Sequence, residues 1–505
     1  MHPRAANTSP LLNAAASEDV HLFRRLLNDA GYTHEGIGKV LGTIEGPTRR
    51  ARNLPRLLQS TSHGTQLETL IRLFLFGVPV DVEAARKALH PVPPETLQQM
   101  GLLEIGGGVA RAPAVLLPYG NLIVACDHLE KAVAGAPVDL VMGITASTAH
   151  VIRCGVRRHS RNTLDFGTGN GVQALLAANH SDRVYAVDFS PRALNFARFN
   201  AVLNNVSNIE FREGDGFEPV RGMRFDLILA NLPFAITPQL RYLYRDSGLP
   251  LDAFAERVVR QAPQFLEECG FCQLMCDWVQ PAGQSWEDHL RAWFADSGCD
   301  VWVMRQNTQQ PAVYAELWIR DTEQDDPEIF ARLYSEWMAY YEREKVESIC
   351  TGLIMMRRTS GRANWLRIDD APDDITEAYG DIVLRGFDLR DFLESASGDE
   401  ALLNTKLVTS TDVRLMQQSE WTPEGWRVVG GQLVHVKGLR YTGNVDPRVA
   451  GLMSRCDGTH TLLELLLPLA EGLKVDVERV IAASLPLIRQ LIERGFLLPV
   501  SLKQD

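Results

Sequence analysis

Residues 163–205 read TLDFGTGNGVQALLAANHSDRVYAVDFSPRALNFARFNAVLNN, and residues 225–234 read FDLILANLPF. The apolar run Leu164-Asp165-Phe166 breaks at Gly167, Gly169 and Gly171 and gives way to the helical spacing of Val172, Leu175 and Leu176. That is strand, glycine turn, helix. Glycine suits such a turn because the backbone bends tightly and a ligand can approach without meeting a Cβ, while the helix start offers free N–H groups. A second strand, Arg183 to Val187, ends at Asp188. Ser190-Pro191 then supplies an N-cap and a first-turn proline for a helix with Leu194, Ala197 and Ala201 on one side. A third strand, Asn208 to Arg212, runs into Gly214-Asp215-Gly216, and a fourth, Phe225 to Ala230, delivers Asn231-Leu232-Pro233-Phe234. The pattern predicts an α/β sheet with its ligands at the carboxyl edge.

An acid at the end of the second strand suits a ribose, so a dinucleotide site is the first alternative. The spelling D-F-G-T-G-N-G lacks G-x-G-x-x-G spacing, and a strand ending in N-L-P-F has no part in hydride transfer. The stretch resembles the class I S-adenosylmethionine-dependent methyltransferases of the small-domain N-methyltransferase type, which include enzymes acting on RNA bases, on DNA adenine and on release-factor glutamine. The resemblance implies a Rossmann-like seven-stranded sheet. It implies that Asp165, Gly167 and Gly169 hold the methionine end of the cofactor, Asp188 the ribose, and Asp215 with Phe217 the adenine; Thr168, Gly171, Phe189 and Gly216 belong to the same cofactor set. Asn231, Leu232, Pro233 and Phe234 stand where the family has N-P-P-Y/F, with Leu232 replacing the first proline. The main-chain carbonyl at 232 is still available. Thr145, in the segment Val141 to Thr148, and Asn231 itself complete the implied cofactor contacts, with Ser147 as a further candidate; hydroxyl residues at a helix start also serve as simple caps.

The implied chemistry accounts for these residue types. An amide or exocyclic NH2 is a poor nucleophile because its lone pair is delocalised. Two carbonyl acceptors, Asn231 Oδ1 and the Leu232 main chain, would draw the nitrogen toward a tetrahedral shape and strengthen as positive charge develops. Pro233 fixes φ, and Phe234 offers a face for a planar target.

A chain of 505 residues calls for two to four domains. The expected divisions are a disordered 1–14, a helical winged-helix-like domain at 15–113, the methyltransferase domain at 114–380, an α+β connecting region at 381–440 and a winged-helix-like cap at 441–505. Val115 to Cys126 reads as two strands around a Pro-Tyr-Gly turn, bridging the front domain to the next. After the fourth strand, Tyr242 to Asp252 reads as a polar loop over the target, with Arg245 and Asp246 as substrate contacts. Further on, GLIMMRRTS and ANWLRID are expected to pair as a hairpin that completes the sheet, with Trp293 and Trp302 in the core.

The net charge of -12 speaks against a generic polyanion binder. Residues 1–161 carry 17 Lys+Arg against 13 Asp+Glu, a balance of +4, so the remainder, with 34 against 50, stands at -16. The front charge gathers at Arg49, Arg50, Arg52 and Arg56 and at Arg153, Arg157, Arg158 and Arg161. It favours an RNA base as acceptor, with RNA or protein reached through the N-terminal domain. Short basic clusters are also the usual solvated surface. A protein glutamine or a small amine or amide remains open as acceptor, as does a non-catalytic cofactor-binding scaffold. Eight scattered cysteines form no disulfide framework, and Cys269, Cys272 and Cys276 fit a helix end and a buried strand better than a metal site. Neither a signal peptide nor an apolar span of membrane length is read, so a cytoplasmic protein with no metal and no membrane partner is expected.

Overall fold

In the computed structural model, residues 12–15, 17–42, 54–128, 138–322, 326–371 and 378–502 are described. The glycine turn sits where its strand ends. The eight strands of the central sheet are β1 (Ser160–Phe166), β2 (Ser181–Asp188), β3 (Ile209–Glu213), β4 (Phe225–Asn231), β5 (Leu266–Pro281), β6 (Cys299–Gln309), β7 (Val346–Arg358) and β8 (Leu366–Asp370). Their order is β8-β6-β7-β5-β4-β1-β2-β3. β3, β2, β1, β4 and β5 are parallel neighbours, β7 runs antiparallel between β5 and β6, and β8 pairs parallel with β6. The order in which the chain lays down its strands reverses between the parallel neighbours β1 and β4, where Phe166 pairs with Ala230. A crevice opens there at the carboxyl ends.

The sheet is thus one strand larger than the expected seven, and the two last runs do not form a hairpin. Both flank β6 instead. The physical reason is burial: β7 is apolar along nearly its whole length, with Cys350, Ile354, Met355 and Met356 fully covered, so it must lie between two strands rather than at an edge. Two helices absent from the sequence reading, Pro311–Thr322 and Pro327–Arg343, stand between β6 and β7 and bury Tyr314, Trp337, Tyr340 and Tyr341. Trp293 and Trp302 are core residues, 1% and 2% exposed.

Ahead of the sheet, the short helices Val82–Leu89 and Pro94–Gln99 adjoin a small sheet in which Val109–Arg111 lies between Val80–Asp81 and Glu104–Gly106. Val115–Tyr119 and Leu122–Cys126 pair around the expected turn. Buried Asn200 ties that ribbon to the glycine turn, exchanging hydrogen bonds with both main-chain groups of Ala125 and donating to the Asn170 carbonyl at 2.8 Å. The front helices share a core with Phe196, Phe199 and Leu203 of the helix Pro191–Leu203. Of the segment expected to be disordered, residues 1–11 lie outside the described residues. Leu12 is buried and exchanges two hydrogen bonds with Asn195, because its apolar side chain finds a place in the front core.

A second unit comprises Arg153–Val156 and Pro372–Asp505. In it Lys406–Thr409 lies between Asp457–Thr461 and Leu497–Pro499, so residues on both sides of the expected boundary at 440 fold around one core. Val413–Thr422 and Gly425–His435 form a long hairpin, with Trp421 and Trp426 edge to face near its tip.

Candidate active site

β1 ends in Asp165, whose side chain is fully buried. Its Oδ2 accepts from Thr168 Oγ1 at 2.5 Å and from the Ala174 N–H at 3.0 Å, while Oδ1 is buried without a partner among the described residues. Burial pushes this carboxyl up from its ordinary 3.8 to about 7, against the pull of those hydrogen bonds. Gly167 and Gly169 adopt φ of 70° and 56°, and a Cβ on either would point into open space. Gly171 serves packing instead: a Cβ there would lie 2.9 Å from Ala197 Cβ. The turn is therefore open on one side and closed against a helix on the other.

Asp188 locks the turn from β2. Its Oδ2 accepts from the Gly169 N–H at 2.9 Å and its Oδ1 from the Ser190 N–H at 2.8 Å, and the carboxylate is partly exposed beside the exposed ring of Phe189. Asp215 is exposed and pairs with Arg257 at 3.1 Å, next to Gly216 at φ 58°. The Phe217 ring is buried, 4.8 Å from the Phe166 ring and stacked on Phe265 at 4.4 Å. Phe217 braces the turn, and Phe189 is the aromatic of the set that faces outward.

At the end of β4, beside the glycine turn, Asn231 Nδ2 donates to Thr148 Oγ1 at 3.1 Å and to Ser147 Oγ at 3.4 Å. Its Oδ1 is buried and accepts nothing from the described residues. The Leu232 carbonyl likewise accepts no hydrogen bond from them, although the Leu232 N–H is held by the Met275 carbonyl at 3.4 Å. Two acceptor oxygens on consecutive residues thus take no hydrogen bond from the described residues. Thr145 caps the helix Ala146–Cys154, accepting from the Thr148 N–H and bonding both neighbouring hydroxyls at 2.9 Å. Thr148 was missed from the sequence, though the run Thr145-Ala-Ser-Thr148 signalled it.

The rest of the acceptor loop is clamped from behind. Phe234 is half-buried edge-on to Trp318, at 6.3 Å. The Ile236 N–H donates to Tyr314 Oη at 2.9 Å, the Ile236 carbonyl accepts from Tyr341 Oη at 2.7 Å, and Tyr314 Oη donates to buried Asp277 at 2.5 Å. Arg245 and Asp246, expected to touch substrate, are 4% and 2% exposed and bond each other at 2.6 Å and 3.1 Å. Adjacent opposite charges neutralise one another and can be buried together. Asp246 also accepts from the Arg241 and Tyr242 N–H groups, and the Arg245 carbonyl accepts from Ala235. This pair holds the loop's shape.

Residues 144–295 match the family model of the methyltransferase small domain. This segment is a methyltransferase small domain. Residues 29–113 and 385–499 match two domains of unknown function (DUF7059 and DUF7782). The chain is 30% identical over 129 residues to the release factor glutamine methyltransferase of Aliivibrio fischeri, covering 21% of this chain and 45% of that one. It is 32% identical over 124 residues to a putative protein N5-glutamine methyltransferase of Methanocaldococcus jannaschii, covering 23% and 61%. The match spans roughly half the length of these curated relatives. Among solved structures, the YcgJ protein of Bacillus subtilis superposes with a TM-score of 0.29 at 14% identity, covering 43% of this chain and 98% of that one. In the methyltransferase small domain, the glycine turn, Asp188 and Asn231 meet at one crevice.

Arg157, Arg158 and Arg161 of the second basic cluster are engaged elsewhere. Arg158 donates to the Cys269 carbonyl and lies over the Phe271 ring, Arg157 donates to the Ile152 carbonyl, and Arg161 approaches Asp226 at 3.8 Å. Arg158 and Arg161 adjoin the amino end of β1, about 20 Å of strand from the crevice. Arg49, Arg50 and Arg52 lie outside the described residues. Among the described residues no group of three or more His, Cys, Asp or Glu is placed to hold a metal, and no helix is long and apolar enough to cross a membrane.

Proposed function

We propose that this chain is an S-adenosylmethionine-dependent methyltransferase acting on a planar NH2 group, with the side-chain amide of a protein glutamine as acceptor. The observation that carries the reading is the pair of acceptors on consecutive residues, Asn231 Oδ1 and the Leu232 carbonyl, that take no hydrogen bond from the described residues. An amide NH2 has two N–H donors to satisfy them. Asn231 is presented with its oxygen free because the Ser147 and Thr148 hydroxyls occupy its nitrogen.

The cofactor fits the residues present. The unpartnered Asp165 Oδ1 suits an ammonium, the open side of Gly167 and Gly169 admits a ligand backbone, and Asp188 and Phe189 supply a carboxylate and an aromatic face for ribose and adenine. When bound, S-adenosylmethionine would supply an electrophilic methyl group, its sulfur serving as the leaving group that takes the bonding electron pair. Asn231 and Leu232 orient the amide and stabilise the charge developing on its nitrogen, which then sheds one proton to solvent. The buried clamps behind Ile236 and Ala235 keep the two oxygens in register.

The names of the relatives favour glutamine over a base, and Arg158 and Arg161, two of the arginines that favoured RNA, are engaged away from the crevice. The test is transfer from methyl-labelled cofactor by the purified full chain into extract of cells lacking it. Label on protein, mapped by mass spectrometry to a glutamine side chain, supports the proposal. Label released by ribonuclease overturns the glutamine assignment, and no transfer with intact cofactor binding overturns the catalytic reading.

A further inference from the structure

The opposite, amino edge of the sheet carries a second recess. A cleft of about 600 Å³ opens among the head of β4, the turn before β6 and the turn between β7 and β8. Its lining includes four guanidinium groups, Arg224, Arg260, Arg358 and Arg362, and one carboxylate, Asp296. All four donate to main-chain carbonyls: Arg224 to Leu266 at 2.9 Å, Arg260 to Ala292 at 2.8 Å, Arg358 to Pro263 and Leu266 at 3.1 and 3.0 Å, and Arg362 to Ala363 at 3.0 Å. A carbonyl positions a guanidinium without cancelling its charge. Arg260 also meets Glu256, and Arg362 shares Asp300 with Arg357, but Arg224 pairs with no carboxylate among the described residues and Arg358 only reaches Glu268 at 4.0 Å.

A second feature is independent of the arginines. Trp293 lines the same cleft, is 1% exposed, and its Nε1–H is buried without an acceptor among the described residues. Buried indole N–H groups normally find a partner. Ser297, Thr359 and Ser360 add hydroxyls to the lining. Donors held in place around one recess recognise an oxyanion, and the fork of arginine suits phosphate oxygens in pairs.

We propose that this cleft binds a phosphate-bearing ligand, on the edge of the sheet away from the acceptor crevice. Arg224 and Arg358 supply the charge, and Trp293, whose Nε1–H lacks an acceptor among the described residues, adds a neutral donor to the same lining. The site does not depend on the identity of the methyl acceptor. The expected source of the phosphate is a small molecule, since the recess is the size of a nucleotide-class ligand site.

The experiment is calorimetric titration of the full chain with inorganic pyrophosphate and, separately, with ADP. Saturable binding with Kd below about 1 mM is expected, weakened roughly tenfold or more by Arg224→Glu and several-fold by Trp293→Phe. Arg224 is exposed, so its variant should retain the parent Tm, which is measured alongside; Trp293 is a core residue, so Trp293→Phe is expected to lower Tm and is titrated well below its own Tm, where it is folded. No saturable heat from either probe overturns the small-ligand proposal, as does undiminished affinity in both variants. If a short single-stranded RNA alone binds, and does so through Arg224, the phosphate site stands but its source is a polynucleotide.

Discussion

The two edges of one sheet are chemical opposites. At the carboxyl edge the groups offered to a ligand are acceptors: Asp165 Oδ1, Asn231 Oδ1 and the Leu232 carbonyl. At the amino edge they are donors, Arg224, Arg358 and the Trp293 N–H. The supports differ as well. Acceptors are held by buried side-chain bonds such as Asn231 to Thr148 and Tyr314 to Asp277, whereas the arginines hang from main-chain carbonyls at the surface. Arg245 and Arg224 make the contrast in a single residue type. One is buried against a carboxylate and shapes a loop; the other is exposed and keeps its charge available.

That difference gives the largest expected effect. Arg245→Ala leaves Asp246 buried without its charge partner and should cost about 3–5 kcal/mol of unfolding free energy. Arg224→Ala should stay within about 0.5 kcal/mol, as surface substitutions do. Urea denaturation of the two variants checks this, and equal small losses would return Arg245 to the list of groups free to meet substrate.

Next in size is Asn231→Ala. Removing one acceptor from the transition state should lower kcat by about 10²–10³, in the range measured for a lost oxyanion-hole donor, with affinity for S-adenosylhomocysteine nearly unchanged. Calorimetry separates the two quantities. Loss of cofactor affinity together with turnover would make Asn231 a support of the cofactor site.

Smaller again is the pH response of Asp165. Its carboxyl titrates at about 7, so an ammonium partner must compete with a proton below that pH. Affinity for S-adenosylhomocysteine should rise about tenfold per pH unit toward pH 7 and then level off, and Asp165→Asn should flatten the curve. Stability of the ligand-free chain runs the other way. Asp165 and Asp277 are both raised by burial, from 3.8 to about 7. The folded state holds those protons more tightly than the unfolded chain, so their contribution is fully present below about pH 4 and is lost as pH rises through about 7. A stability profile rising across that window would show that these carboxyls ionise freely in the fold.

Much of the carboxyl edge was legible because its signals are local. Asp165 to Gly171 spells its turn within seven residues, and Asn231 follows a strand whose apolar run ends beside it. The clamp was not legible, since Tyr314 and Tyr341 meet Ile236 across 78 and 105 residues and belong to two helices that the sequence reading did not identify. Arg245-Asp246 misled for the opposite reason. Two charges in a polar loop look exposed, and only their mutual bond and the Tyr242, Trp318 and Trp337 rings around the guanidinium allow them inside. The amino-edge cleft was invisible because it assembles arginines from 224 to 362 around turns with no motif.

The smallest effect tests whether the clamp matters to chemistry at all. Tyr314 Oη accepts from the Ile236 N–H and donates to Asp277, so Tyr314→Phe removes two hydrogen bonds while keeping the ring in its aromatic cluster. Each net bond contributes about 1 kcal/mol, and part of that loss appears as loop freedom instead of unfolding. A fall in kcat of about 5- to 30-fold is expected, with S-adenosylhomocysteine affinity unchanged because the cofactor turn is built on β1 and β2. Tyr341→Phe frees only the Ile236 carbonyl and should do less. If both variants lost stability but kept kcat, the tyrosines would be ordinary core residues, and the alignment of the two open oxygens would rest on the Asn231 contacts to Ser147 and Thr148 alone.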